Sequence, residues 1–227
     1  MSLFEQIYAN LIKGGAWLTI LNGLWATVRI SALSLLLGTL LGALICAMRM
    51  SRITPLRWLA KAYIAVLRGS PVLMLLMLMY YVVLARSPLD AEYVAVIAFG
   101  LNVSAHIAEL MRSALSAADK GQAEAARTLG FSRLAAFRLV TLPQAARIAK
   151  PVYQSTIINL IQWTSVVGYV TITDLTRVIN NISARTMQPL FMIVTGMLLY
   201  LGLAYIVYGL FVLSSRRKKR RKGGEAA

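Results

Sequence analysis

Acidic side chains are scarce in this sequence: eight Asp and Glu against 24 Lys and Arg in 227 residues, with a single histidine, His106, and a single cysteine, Cys46. One cysteine excludes a disulfide framework and a cysteine-based zinc site. With one histidine, a metal centre would need carboxylate ligands, and the acids are scattered along the whole chain, so no metal site is expected. No G-x-x-x-x-G-K-[ST] stretch occurs, so the chain does not hydrolyse ATP by the usual P-loop route. No nucleophile, base and orienter group is recognisable, and no catalytic residue is assigned. What the sequence has instead is apolar bulk: 59% hydrophobic and 14% charged residues, with a mean hydropathy of +0.68. A soluble domain of this length needs far more polar surface, so lipid is the expected solvent.

Hydrocarbon requires roughly 20 apolar residues per crossing helix. Residues 30–48 form an uncharged run of nineteen, and the helix is expected to extend back past Arg29 toward Trp17. Further spans are expected within 62–85, where Arg68-Gly69-Ser70-Pro71 marks a break, and at about 91–110, 151–173 and 190–212. That makes an all-α integral membrane chain with five transmembrane helices. Between spans one and two lie Arg49, Arg52, Arg57, Lys61 and Arg68 without an acid. Between three and four lie Arg112, Lys120, Arg127, Arg133, Arg138, Arg147 and Lys150, and the tail adds "RRKKRR" and Lys222. The other connections hold only Arg86, Arg177 and Arg185. Retention of basic loops inside puts the C-terminus in the cytoplasm and the N-terminus outside. The net charge of +16 is thus explained by anchoring, with anionic lipid as an added contact for the tail, and no nucleic-acid partner is expected. The organisation expected is an amphipathic segment over 1–16, a transmembrane region over 17–213 with a polar cytoplasmic loop at about 113–150, and a basic tail over 214–227. The opening "MSLFEQIYANLIKGG" lacks the basic n-region and the small-residue cleavage pattern of a secretory signal, so the 1–16 segment is read as retained.

The polar loop carries "EAARTLGFSRLAAFRLVTLP". Phe131, Leu134, Ala135, Leu139 and Leu142 fall at offsets 0, 3, 4, 8 and 11, one stripe of a helix, and Ala125, Ala126 and Leu129 make a shorter face before it. Gly130 separates the two, and Pro143 marks a change before the next span, giving a helix, turn, helix element. Periodicity alone allows a membrane-surface connector as readily as a docking element.

The residue pattern is more specific. Glu124-Ala125-Ala126, three residues, Gly130, nine residues, then Val140-Thr141-Leu142-Pro143 resembles the EAA motif of ABC importer permeases, with Val140 in place of isoleucine. "RGSP" at 68–71, "AHIAELMR" at 105–112, "GQAEAA" at 121–126, "LPQA" at 142–145 and "TSV" at 164–166 narrow the likeness to the polar amino acid permeases of ABC uptake systems. The resemblance covers residues 26–213. It implies the type I importer fold, location in a bacterial inner membrane, and a chain without its own ATPase site. It also implies a coupling loop made by Glu124, Ala125, Ala126, Leu129, Gly130, Phe131 and Arg133 that docks onto a separate ABC ATPase dimer, where ATP and Mg are bound. The further partners implied are an identical or homologous permease chain, an extracytoplasmic solute-binding protein and a polar amino acid as cargo.

In the fourth span Ser155, Asn159 and Gln162 share one helical face, with Ser165 and Tyr169 near its continuation. Polar side chains at membrane depth need partners or water, so this face is either an interhelical hydrogen-bond seam or the lining of a solute path. Glu109 and Arg112 stand three residues apart near the end of span three, placed for a local ion pair or for a gate contact. His106, one turn earlier, occupies a place where relatives often carry tyrosine and is read as a packed neutral ring or a pH-sensitive pore residue. Relatives also often carry a lysine before "TS", where this chain has Gln162-Trp163, which leaves the choice of amino acid open. The competing class is a channel or scaffold that needs no ATP. A secondary transporter fits less well, because no internal repeat and no mid-span acid for proton coupling is seen.

Overall fold

The computed structural model describes residue 12 and residues 15–223, with side chains through Leu213. Apart from residues 12, 15 and 16, the expected N-terminal amphipathic segment lies outside the described residues, as do the side chains of the basic tail. Every regular element among the described residues is helical. In chain order these are α1 (Ala16–Arg49), α2 (Thr54–Gly69), α3 (Val72–Leu78) with a π turn at Met79–Val83, α4 (Ala91–Ala117), α5 (Lys120–Thr128) and α6 (Arg133–Ala136) with a π turn at Phe137–Thr141. There follow α7 (Leu142–Trp163), a 3-10 segment at Thr164–Val170, α8 (Leu175–Thr186) and α9 (Pro189–Gly223).

Among the described residues, three helices are long and apolar enough to cross a membrane: α1, α4 and the Pro189–Leu213 part of α9. A fourth crossing is formed if α2 and the Val72–Val83 stretch count as one broken span, bent by 106°. The break falls at Ser70-Pro71, within the expected RGSP signal, because proline disfavours helix in the residue before it. The fourth expected span differs more. Helix α7 starts at Leu142, carries Arg147 and Lys150 in its first half, and contains Pro151 in its interior rather than at its start. After Trp163 the chain tightens into a 3-10 helix of seven residues, longer than the three or four usual for that geometry.

Contacts divide the chain into two units. Unit 1 holds the chain through Ala32, Leu76–Ala95 and the chain from Ile157; unit 2 holds Leu33–Leu75 and Val96–Thr156. In unit 2, α1 and α4 meet at small residues. A Cβ added at Gly38 would stand 2.0 Å from Val103 Cγ1, and one at Gly42 would stand 2.9 Å from Ile107, while Gly100 is closed by Leu37. This Gly38-x-x-x-Gly42 spacing is the small-residue pattern that lets membrane helices approach closely. Helix α2 packs on α4 through hydrogen bonds: Tyr63 Oη lies 2.7 Å from Ser104 Oγ, and Asn102 Nδ2 donates to the Leu67 carbonyl at 2.9 Å, just before the break.

In unit 1 the core joins Ala16 and Ile20 of α1, Leu175, Val178, Ile179 and Ile182 of α8, and Met192 of α9. Helix α8 was not anticipated, although its signal is plain: Asp174 in the N-cap position, then apolar residues at the spacing of one helical face. Gly23 lets α1 approach α8, since a Cβ there would meet Val178 at 2.9 Å.

Overpacking a filled contact costs about 1–3 kcal/mol, so Gly42→Val is expected to lower the melting temperature of the purified chain clearly. Ala43→Val, at an exposed neighbour, is expected to leave it unchanged. Equal melting of the two variants would contradict the close contact.

Candidate functional site

The EAA-like loop spacing becomes geometry in unit 2. Asp119 caps α5, its Oδ1 accepting the Gly121 N–H at 2.8 Å, and its own N–H donates to Gln144 Oε1 at 3.1 Å. Gln144 Nε2 in turn donates to Gln122 Oε1 at 2.7 Å, fastening the start of α5 to the start of α7. At the other end, the Gly130 N–H donates to the Arg127 carbonyl at 3.0 Å and the Phe131 N–H to the Ala126 carbonyl at 3.1 Å. These are the two bonds of a Schellman cap, which places residue 130 in the left-handed region, at φ +92°. Glycine is required there by backbone conformation, since a Cβ would meet no atom within 4 Å. Ser132 then caps α6, its Oγ accepting the Ala135 N–H at 3.2 Å.

Of the expected coupling residues, Glu124, Ala125, Leu129, Gly130, Phe131 and Arg133 are exposed. Ala126, by contrast, is buried within this chain. Leu129 is 80% exposed, and Phe131, Leu134, Phe137, Leu139 and Leu142 are exposed as well. Arg127, Arg133 and Arg138 are exposed among them. The Glu124 carboxylate has no hydrogen bond or ion pair among the described residues.

The candidate gate residues also lie in unit 2. Glu109 Oε1 accepts from Arg112 Nε at 2.9 Å and from Nη2 at 2.5 Å, both side chains half-buried, so the local ion pair is formed. His106 is half-buried one turn earlier on the same helix.

On α7, Ser155 bonds the Pro151 carbonyl at 3.2 Å, the ordinary resting place of a helical serine, while Asn159 and Gln162 are exposed. Gln162 borders an apolar groove of about 560 Å³ between α8 and α9, and Ser165 borders a separate cleft of about 460 Å³. Both lie within unit 1 and share Thr176 and Asn180. Asn159 lines neither.

The unanticipated feature of unit 1 is the polar knot at the start of α8. Asp174 is fully buried; its Oδ1 accepts the Arg177 N–H at 3.0 Å and its Oδ2 the Thr176 N–H at 3.1 Å. The Tyr200 hydroxyl reaches the same Oδ2 at 3.4 Å and lies 2.8 Å from Thr176 Oγ1, and Thr27 Oγ1 accepts the Leu175 N–H at 3.3 Å. Burial pushes the Asp174 carboxyl above the usual carboxylate range, and the N–H bonds to it offset this in part. Elsewhere in unit 1, Arg29 and Glu92 form an ion pair between α1 and α4.

The chain matches the model of the binding-protein-dependent transport system inner membrane component over residues 34–220 and belongs to that family. It is a multi-pass membrane permease subunit of the ABC transporter class. Its relatives include the probable amino-acid ABC transporter permease YckA of Bacillus subtilis, 36% identical over 89% of this chain and 90% of that protein. The L-cystine transport system permease TcyB of the same organism is 33% identical, over 85% and 83%. The glutamate/aspartate import permease GltK of Escherichia coli is 32% identical, over 92% and 94%. Among solved structures, an amino acid ABC transporter with histidines superposes with a TM-score of 0.79 at 32% identity, covering 88% of this chain and 94% of that one. The MetNI methionine ABC transporter, at 20% identity and a TM-score of 0.73, shares the fold.

Because folding favours the protonated form of Asp174, the stability this supplies is full below the ordinary carboxylate pKa and is lost as pH rises through the raised value. Asp174→Asn keeps a good N-cap residue and removes the titration. Its melting temperature is therefore expected to vary less between acid and neutral pH than that of the parent chain. An identical pH slope in both proteins would contradict the buried carboxyl as its source.

Proposed function

We propose that this chain is the permease subunit of an ATP-driven importer for a polar amino acid in a bacterial inner membrane. The observation that carries the proposal is the exposed apolar stripe on the 119–142 loop. Large apolar side chains on a water-facing, arginine-rich turn leave a surface suited to a protein partner. The EAA spacing and the amino-acid permeases among its relatives point to a separate ABC ATPase as that partner. The turn is held rigid by the Asp119, Gln144 and Ser132 bonds and the Gly130 cap, so a push on α5 is delivered to the start of α7.

ATP and Mg bind the ATPase dimer, whose closure draws two coupling loops together, one from this chain and one from an identical or homologous permease. The chain crosses five times, with the broken α2–α3 pair as one crossing and α7 with its 3-10 extension as another, and retention of basic residues inside keeps the loop and the basic tail in the cytoplasm. The tail also meets anionic lipid. An extracytoplasmic solute-binding protein delivers the amino acid outside. The exposed Asn159 and Gln162 face of α7, with Ser155 and Ser165, contributes to the solute path. His106 and the Glu109–Arg112 pair are the candidate gate. This chain performs no bond chemistry.

Two sets of variants test this, each read as uptake by cells or vesicles carrying the full complex. Gly130→Asp and Glu124→Lys are expected to abolish uptake while the chain still inserts and accumulates in the membrane; normal uptake in both would sink the coupling assignment. Asn159→Leu with Gln162→Leu removes polar contacts worth about 1.4 kcal/mol, and is expected to lower uptake roughly tenfold at unchanged assembly. Unaltered uptake would assign that face to helix packing.

A further inference from the structure

The cleft of about 460 Å³ in unit 1 holds an arginine whose charge is not answered. Its lining includes Ser165, Gly168, Asp174, Thr176, Arg177 and Asn180. Arg177 is half-buried, and its one side-chain hydrogen bond among the described residues runs from Nη1 to the Gly168 carbonyl at 2.7 Å. A neutral carbonyl orients a guanidinium without neutralising it. The ion pairs among the described residues are Arg29–Glu92 and Glu109–Arg112, and neither involves Arg177.

The side chain is nevertheless tightly placed. Its backbone N–H is fixed by Asp174 Oδ1, and its aliphatic stem runs over Gly168, where an added Cβ would stand 3.7 Å from Arg177 Cβ and 3.8 Å from Cδ. The stem is held at one end and the head at the other. A guanidinium carries five N–H donors in a flat fork, and only one is spent on Gly168. Ser165 and Asn180 make no side-chain hydrogen bond among the described residues, so the cleft offers a hydroxyl and an amide beside an oriented cation. The one acid nearby does not compete: Asp174 is fully buried, and its oxygens are occupied by two backbone N–H groups and the Tyr200 hydroxyl.

A half-desolvated fork with free parallel donors matches a carboxylate, which it binds through two hydrogen bonds in one plane. We infer that Arg177, with Ser165 and Asn180, forms a subsite for the carboxylate of the transported amino acid. The subsite lies in the connection that the distribution of basic residues puts outside the membrane. It rests on the amino-acid importer reading, and it makes Arg177 a filter that accepts amino acids and discriminates against their decarboxylated amines.

The test uses the complete complex of this chain with its ATPase: import is read in proteoliposomes with the binding protein supplied outside, and binding is read in lipid nanodiscs without it. Radiolabelled L-arginine, L-glutamate and L-cystine are the probes, and the one the wild-type complex imports is taken forward. Saturable binding of that amino acid is expected, with its decarboxylated amine a poor competitor. Arg177→Lys keeps a donor for Gly168 and loses the fork, so at least a tenfold weakening is expected, and a larger one in Arg177→Gln. If Arg177→Gln fails to assemble with the ATPase, Arg177→Lys decides. Wild-type affinity in Arg177→Lys, or equal competition by amine and amino acid, overturns the subsite. So does a variant that binds the free amino acid normally but no longer responds to loaded binding protein, since Arg177 is then a docking contact. Import without measurable binding overturns the subsite alone, whereas a wild-type complex that imports no amino acid overturns the importer reading beneath it.

Discussion

A backbone carbonyl or N–H exposed to hydrocarbon has no water to bond, and this constraint organises the whole chain. Helix is therefore the rule, and at several of its interruptions a side chain or a special backbone conformation takes up the freed groups. At the α2 break Asn102 donates to Leu67. At the start of α8 Asp174 and Thr27 receive three N–H groups between them. In the loop Asp119, Ser132 and the Gly130 cap do the same for α5 and α6. Asn102 Oδ1 is the buried side-chain atom left without a partner among the described residues.

These capped interruptions are also where function gathers. The Gly130 cap turns the apolar residues of the loop outward while Ala126 and Ala136 stay inside, so a rigid turn presents a contact surface. The Asp174 cap fixes the backbone of Arg177, and the 3-10 segment before it provides the Gly168 carbonyl that aims the guanidinium. In both places a helix end does two jobs, closing the backbone and orienting a side chain.

Much of this was legible in the sequence, and what was missed has physical causes. Apolar runs gave α1, α4 and α9, because burial in lipid leaves a signal that depends on composition alone. Proline gave the break after Arg68, and the EAA spacing gave the α5 turn with its glycine. The loop glycine was readable because only one residue type adopts its backbone conformation cheaply. The start of α7 is not legible, since proline reads as a boundary in the pattern, whereas the helix runs through Pro151 from Leu142. Helix α8 was hidden by its shortness and by its place between two spans, although Leu175, Val178, Ile179 and Ile182 spell its buried face. The partners of Asp174 and Arg177 were beyond reach, because Thr27 and Tyr200 come together with them only through tertiary packing. Ala126 shows the same limit: periodicity put it on a face with Leu129, but only packing could say that it points inward.

The account stands or falls on whether the 119–142 loop holds an ATPase. The most direct measurement is the mass, by native mass spectrometry, of the tagged chain purified gently from its own membrane. The account predicts an ABC ATPase at one copy per permease chain, in an assembly containing two permease chains and two ATPases. A chain that purifies intact and membrane-competent without any ATPase would contradict it and favour a channel or scaffold.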